Sequence, residues 1–172
     1  MDDGSHNMSS TPDAPAAPSI HFALNGARIE ITARSDERLL DILRERFGLT
    51  GAKIACGIGR CGACTVLLNG QAVNACLVLA YRLDGAEIVT AEGLDALPEG
   101  RAAREGLAAE NAFQCGYCAP GITVALAALL KRNPAADDPA IRDALAGNLC
   151  RCSGYLSIVR GALHAAALLK PA

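Results

Sequence analysis

The eight cysteines of this 172-residue chain fall into two sets, and their spacing constrains the fold more than any other feature. Cys56, Cys61 and Cys64 lie in GAKIACGIGRCGAC with Cys76 beyond, a C-x4-C-x2-C-x11-C arrangement. Cys115 and Cys118 lie in QCGYCAPG, and Cys150 and Cys152 in GNLCRCSG. Each set joins segments far apart in sequence, so whatever binds these thiols also decides which loops meet.

The first set follows the plant-type ferredoxin spacing, in which one loop wraps a 2Fe-2S cluster with three thiolates and a later segment supplies the fourth. Gly51, Gly57, Gly59 and Gly62 let that loop curl tightly, and their amides can face anionic sulfur. Structural zinc is the competing reading; its ligands usually come as short knuckles on two separate turns, whereas here three thiolates share one Gly-lined loop. The second set combines C-x2-C with C-x-C, a spacing unusual for zinc, and Pro120-Gly121 and Gly154 stand where helix N-termini can point amides at a negative cluster. Arg151 adds a positive charge there, or is a solvated surface group. Residues 1–18 show neither a basic segment followed by an apolar one nor a twin-Arg pair, so a reducing, cytoplasmic setting is expected and a disulfide framework is disfavoured.

Around these loops the pattern changes from strand to helix. Ile20, Phe22, Leu24, Ile29 and Ile31 alternate about Asn25-Gly26 and predict a hairpin. Ser35 can cap a helix whose apolar residues Leu39, Leu40, Ile42, Leu43 and Phe47 end at Gly48. Thr65 to Leu68, the turn Asn69-Gly70 and a returning strand through Cys76 to Leu79 form a second hairpin, and Glu87 to Thr90 a last strand. Beyond Gly93 helices are expected at 101–111, 121–131, 140–146 and 157–169. The fold class is therefore α+β: an N-terminal β-grasp, plant-type ferredoxin-like domain at 19–94, then an all-α four-helix bundle at 95–172, with the link near Ala91 to Pro98. Residues 1–18 read as a disordered tail.

Composition narrows the function. A net charge of -2 and pI near 5.9 leave no basic footprint for nucleic acid. Aromatic residues make up 3% with no Trp, too few for a large organic-substrate pocket. The apolar runs at 122–130 and 162–169 are too short to cross a bilayer. His21 and His164 lack a ligand partner at sequence spacing, Asp137 and Asp138 read as N-terminal capping charges, Gly57-Ile58-Gly59 as cluster wrapping, and Ser153 as a cap or turn residue.

GAKIACGIGRCGACTVLLNG, QCGYCAPG and GNLCRCSGY, in that order, resemble the small iron-sulfur subunit of the xanthine oxidase family of molybdenum hydroxylases, carbon monoxide dehydrogenase small subunits included. The resemblance covers 20–169. It implies one 2Fe-2S cluster on Cys56, Cys61, Cys64 and Cys76 and a second on Cys115, Cys118, Cys150 and Cys152. It further implies a large molybdopterin-binding partner, usually with a medium FAD-binding subunit, and places Gln114 and Cys152 near the pterin cofactor. The chain would pass electrons from molybdenum toward flavin or another acceptor during oxidative hydroxylation or dehydrogenation, with no catalytic base of its own. Tyr117, Ala119 and Leu156 depart from the residues frequent at those places in the family. A free-standing two-cluster ferredoxin and a zinc-stabilised interaction module remain as alternatives.

Overall fold

A computed structural model describes residues 17–170, so the tail expected at 1–18 lies almost wholly outside the described residues. The elements are β1 (Ser19–Leu24), β2 (Ala27–Thr32), a short helix α1 (Leu39–Asp41) continued by a π-turn (Ile42–Arg46), β3 (Thr65–Leu68), β4 (Gln71–Asn74) and β5 (Glu87–Val89). Four helices follow: α2 (Pro98–Ala109), α3 (Ala119–Arg132), α4 (Asp138–Ala144) and α5 (Leu156–Leu168).

The strands form one five-stranded sheet in the order β2-β1-β5-β3-β4. β1 and β5 run parallel, and every other pair is antiparallel. Both Asn-Gly turns have positive φ at both positions, 50° and 84° at Asn25-Gly26 and 51° and 78° at Asn69-Gly70. That is the twist a two-residue hairpin requires. Ile20, Phe22 and Leu24 point from β1 into a core shared with Leu39, Ile42, Leu43, Val66 and Ile88.

Two expectations fail locally. The helix does not start at a Ser35 cap: it begins after Arg38, whose side chain makes no capping bond. Long-range pairing takes the backbone first, because Leu39 N–H donates to Val78 C=O and Ala80 N–H to Glu37 C=O, both at 2.8 Å. Residues 37–39 thus run alongside 78–80, and a helical turn becomes possible only beyond them. The second correction is the returning strand, which stops at Asn74; Ala75–Leu77 form a 3-10 turn that buries Cys76. A straight strand to Leu79 would carry the chain past the position where Cys76 meets Cys64.

The segment expected as a link near Ala91 to Pro98 is firmly packed. Ala91–Ala96 is a 3-10 turn with Leu94 fully buried. Leu94 joins Leu67 of β3 and Val124, Ala127 and Ala128 of α3 in an apolar layer between sheet and helices. Each Leu or Val buried there contributes about 1.5–3 kcal/mol. A second core gathers Leu107, Ile122, Leu126, Leu130, Ile141 and Ile158 from α2 to α5. Gly106 and Gly161 let α2 and α5 cross closely, since a Cβ at Gly106 would lie 2.4 Å from the Gly161 carbonyl. Asp137 caps α4 as expected, accepting from Ala140 N–H at 3.1 Å, and Asp138 pairs with Arg142.

Candidate iron-sulfur centres

The Cys56–Cys64 loop is shaped by Gly57, Gly59 and Gly62, with φ of +67°, +74° and +67°. The curl brings Arg60 N–H to 3.3 Å from Cys56 Sγ. Donation from the Ile58 and Arg60 amides, with help from Cys61, holds the Cys56 thiol down at about 6. Cys64 is buried, and desolvation pushes it up to about 11. Cys76 is also buried, and its neighbour Ala75 donates its N–H to Cys64 C=O at 3.2 Å. Cys64 just before β3 and Cys76 just after β4 thus flank the same end of that hairpin.

The second set sits where α3 and α5 begin. Cys118 immediately precedes α3, where Pro120 occupies the first turn. Burial raises Cys118 to about 12. Burial also pushes Cys150 up, but the Ser153 hydroxyl, at 3.2 Å, and the Ser153 amide, at 3.5 Å, outweigh it and leave this thiol at about 7. Ser153 is thus a turn residue serving a cysteine; α5 begins after Tyr155, which has no side-chain cap and sits at φ 68°. The Tyr155 hydroxyl accepts from Cys150 N–H at 2.8 Å and donates to Asn148 C=O at 2.9 Å, which shapes the C-x-C turn. Cys115 and Cys152 are exposed, with sulfurs 3.6 Å apart.

The donor chemistry suits two clusters. In the first set the Ala75 N–H bond to Cys64 C=O, at 3.2 Å, brings the segments of Cys64 and Cys76 together, and in the second Cys115 and Cys152 have sulfurs 3.6 Å apart. Four thiolates per set are what a 2Fe-2S cluster would need, and it would supply one-electron redox chemistry there.

The two sets also meet each other. A cavity of about 180 Å³ is lined by Cys61 together with Cys115, Cys118, Cys150, Cys152 and Arg151. Leu149 N–H donates to Cys61 C=O at 2.9 Å. Asn148, buried at 6% exposure, donates to Gly62 C=O at 3.1 Å and to the Thr65 hydroxyl at 3.3 Å. The Tyr117 hydroxyl donates to Ile54 C=O. Sequence spacing located the cysteines but could not find Asn148, Leu149 or Tyr155, whose roles depend on contacts between distant loops.

Other candidates stay outside the centres. His21 is exposed on β1, its Nε2 3.5 Å from Glu30 and its Nδ1 3.9 Å from Asp84. Sequence spacing did not anticipate these carboxylates, which reach it across the sheet. His164 is half-buried on α5. Gln114 is exposed and donates to Cys152 C=O at 3.0 Å.

These features define an iron-sulfur protein with two 2Fe-2S-binding units in one chain. The 2Fe-2S iron-sulfur cluster binding domain family matches residues 22–94 and the 2Fe-2S binding domain family residues 90–163. The chain is 44% identical over 139 residues to the nicotinate dehydrogenase small FeS subunit of Eubacterium barkeri, covering 81% of this chain and 88% of that one. It is 40% identical over 157 residues to the nicotine 6-hydroxylase small subunit of Paenarthrobacter nicotinovorans, covering 90% and 93%. Among solved structures, quinoline 2-oxidoreductase from Pseudomonas putida 86 superposes with a TM-score of 0.79 at 34% identity, over 87% of this chain and 94% of that one. The chain therefore belongs to the small iron-sulfur subunits of the molybdenum hydroxylases, the two-cluster electron-transfer subunits of oxidoreductase complexes.

Proposed function

We propose that this chain is the internal wire of its complex. It takes electrons one at a time from a molybdopterin centre on a large partner subunit and delivers them to an FAD-binding subunit or another acceptor. The observation that carries the reading is the meeting of the two thiol sets: Cys61 shares a cavity with Cys115, Cys118, Cys150 and Cys152. Two sites that each accept one electron, placed next to each other, suit a relay better than storage.

In this reading Cys56, Cys61, Cys64 and Cys76 hold one cluster, and Cys115, Cys118, Cys150 and Cys152 hold the other. The clusters supply one-electron redox chemistry when bound. The protein's own part is to present thiolates, donate amide hydrogens to them and shield the first site. The division falls at 19–94 for the ferredoxin-like domain and 95–172 for the helical domain, with α2 to α5 as a four-helix bundle. Gln114 and Cys152, exposed side by side, face the pterin cofactor of the partner. Eight cysteines held as ligand thiolates rather than disulfides suit a reducing cytoplasm. Among the described residues no helix is long and apolar enough to cross a membrane.

The test is the iron and sulfide content of the purified chain together with a Cys61→Ser variant. About four irons and four sulfides are expected, as two 2Fe-2S sites require. Cys61→Ser should remove one spectroscopic signal and spare the other. Zinc in place of iron, in protein made with ample iron, would refute the reading.

A further inference from the structure

The contacts between the two cysteine loops are concentrated on one peptide. Gly62 C=O accepts from Thr65 N–H at 3.2 Å, from the Thr65 hydroxyl at 2.7 Å and from Asn148 Nδ2 at 3.1 Å. On its other side Gly121 of α3 packs so closely that a Cβ there would lie 2.1 Å from the Gly62 oxygen. Asn148 is itself held at both ends of its backbone, its N–H donating to Leu145 C=O at 2.9 Å and its C=O accepting from the Tyr155 hydroxyl at 2.9 Å. Next to this clamp lies the bond from Leu149 N–H to Cys61 C=O. It joins a cysteine of the first set to the residue before Cys150 of the second. From Cys61 Sγ to Cys150 Sγ the chain therefore offers a run of covalent bonds interrupted by a single hydrogen bond.

We propose that Asn148 is the positioning residue for electron exchange between the two sites: its amide locks the Gly62 peptide so that the Cys61–Leu149 hydrogen bond stays closed and couples the two thiolate sets. The proposal rests on the two-cluster relay reading and names the residue on which its internal step depends. In that step one electron leaves the Cys150 side and arrives at the Cys61 side, and no proton or atom changes place. Coupling through a hydrogen bond needs a held distance, and Leu149 cannot hold it alone, since its side chain is 58% exposed. The buried side-chain amide of the preceding residue supplies the rigidity that an exposed leucine lacks. Thr65 is the second half of the clamp, because its hydroxyl both donates to Gly62 C=O and accepts from Asn148.

The test uses the full-length iron-loaded chain with Asn148→Ala, Thr65→Val and Thr65→Ser. Iron and sulfide content and the two separate cluster signals first establish that both sites are filled; a wild-type chain failing there would refute the relay reading rather than this one. Two quantities then decide: the magnetic splitting between the two reduced sites, and hydrogen exchange at the Leu149 amide. Asn148→Ala is expected to reduce the splitting and to leave the Leu149 amide unprotected, while each site keeps its own signal. Thr65→Val should weaken both readouts, and Thr65→Ser, which keeps the hydroxyl, should restore them. If Asn148→Ala does not fold, the contrast between Thr65→Val and Thr65→Ser decides. Wild-type splitting and protection in filled Asn148→Ala, equal behaviour of the two Thr65 variants, or no splitting in the wild-type chain would overturn the proposal.

Discussion

Glu92 accepts a hydrogen bond from Gly51 N–H at 2.8 Å, tying the segment between the two cores to the start of the first cysteine loop. Its other oxygen accepts from the Thr90 hydroxyl at 2.6 Å, and Thr90 is held in turn by Asn25 at the tip of the first hairpin. The loop is thereby anchored to the sheet through one carboxylate.

Burial pushes the Glu92 carboxyl up, but the bonds from Thr90 and Gly51 win and leave it below its ordinary value of 4.5. A carboxyl lowered on folding stabilises the native state above its unfolded value, and this contribution is lost as pH falls through the folded value. Glu92→Gln should therefore cost about 0.5–1 kcal/mol at neutral pH, modest because the side chain is only partly buried. The gap from wild type should close as pH drops below about 4.5. Thermal melts of both proteins across that range check it; a gap that persists into acid would show that the charge does no work.

Gly62 and Gly85 separate two costs of adding a methyl group. Both have positive φ, +67° and +70°, yet a Cβ at Gly62 would lie 2.4 Å from Asn148 Nδ2 and 2.6 Å from Gly147 C=O, whereas Gly85 has open space. Gly85→Ala should lose about 1–2 kcal/mol from backbone strain alone. Gly62→Ala should lose clearly more and should disturb both cluster signals, because the methyl group drives the two cysteine loops apart. Chemical denaturation of each variant, read beside its iron content, measures the difference.

Tyr155 is the only residue other than Asn among the described non-glycine residues with positive φ. Its strain is offset by the hydroxyl bridge between Cys150 N–H and Asn148 C=O. Tyr155→Phe removes the bridge and leaves a donor and an acceptor unsatisfied, a loss of about 1–3 kcal/mol. The helical-unit cluster should become more labile while the other keeps its signal. A uniform effect on both signals would mean that the hydroxyl serves the whole fold rather than the C-x-C turn.

Local chemistry made much of this legible in sequence. Asn25-Gly26 and Asn69-Gly70 announce their hairpins because positive φ at both turn positions is a property of those residues alone. Asp137 announces the start of α4 for the same kind of reason, a side chain reaching its own next turn. Ser35 misleads because the competing partner is remote: Glu37 and Leu39 bond to residues some forty positions away. The end of β4 at Asn74 follows from where Cys76 must go, which no local pattern encodes. The grouping of cysteines by spacing reflects how short loops wrap a cluster, but the bond from Leu149 to Cys61 closes only when two cores have packed, and nothing in either motif announces it.

Exposure orders the two sites by vulnerability. Cys64 and Cys76 are 4% and 2% exposed, whereas Cys115 and Cys152 lie open at the surface. A chelator or oxidant must reach the bond between iron and thiolate, so open thiolates are attacked first. Around the open pair Tyr117 and Leu149 expose large apolar surface, the kind of patch that a partner protein covers. In the isolated iron-loaded chain the helical-unit cluster should therefore bleach several-fold faster than the ferredoxin-like one when a chelator is added. In the assembled complex that difference should shrink or reverse if, as proposed, the large subunit covers Cys115 and Cys152. Following the two signals separately in chain and complex tests both halves. Equal rates in the isolated chain would mean that thiol exposure does not govern cluster loss, and faster loss persisting in the complex would place the partner elsewhere.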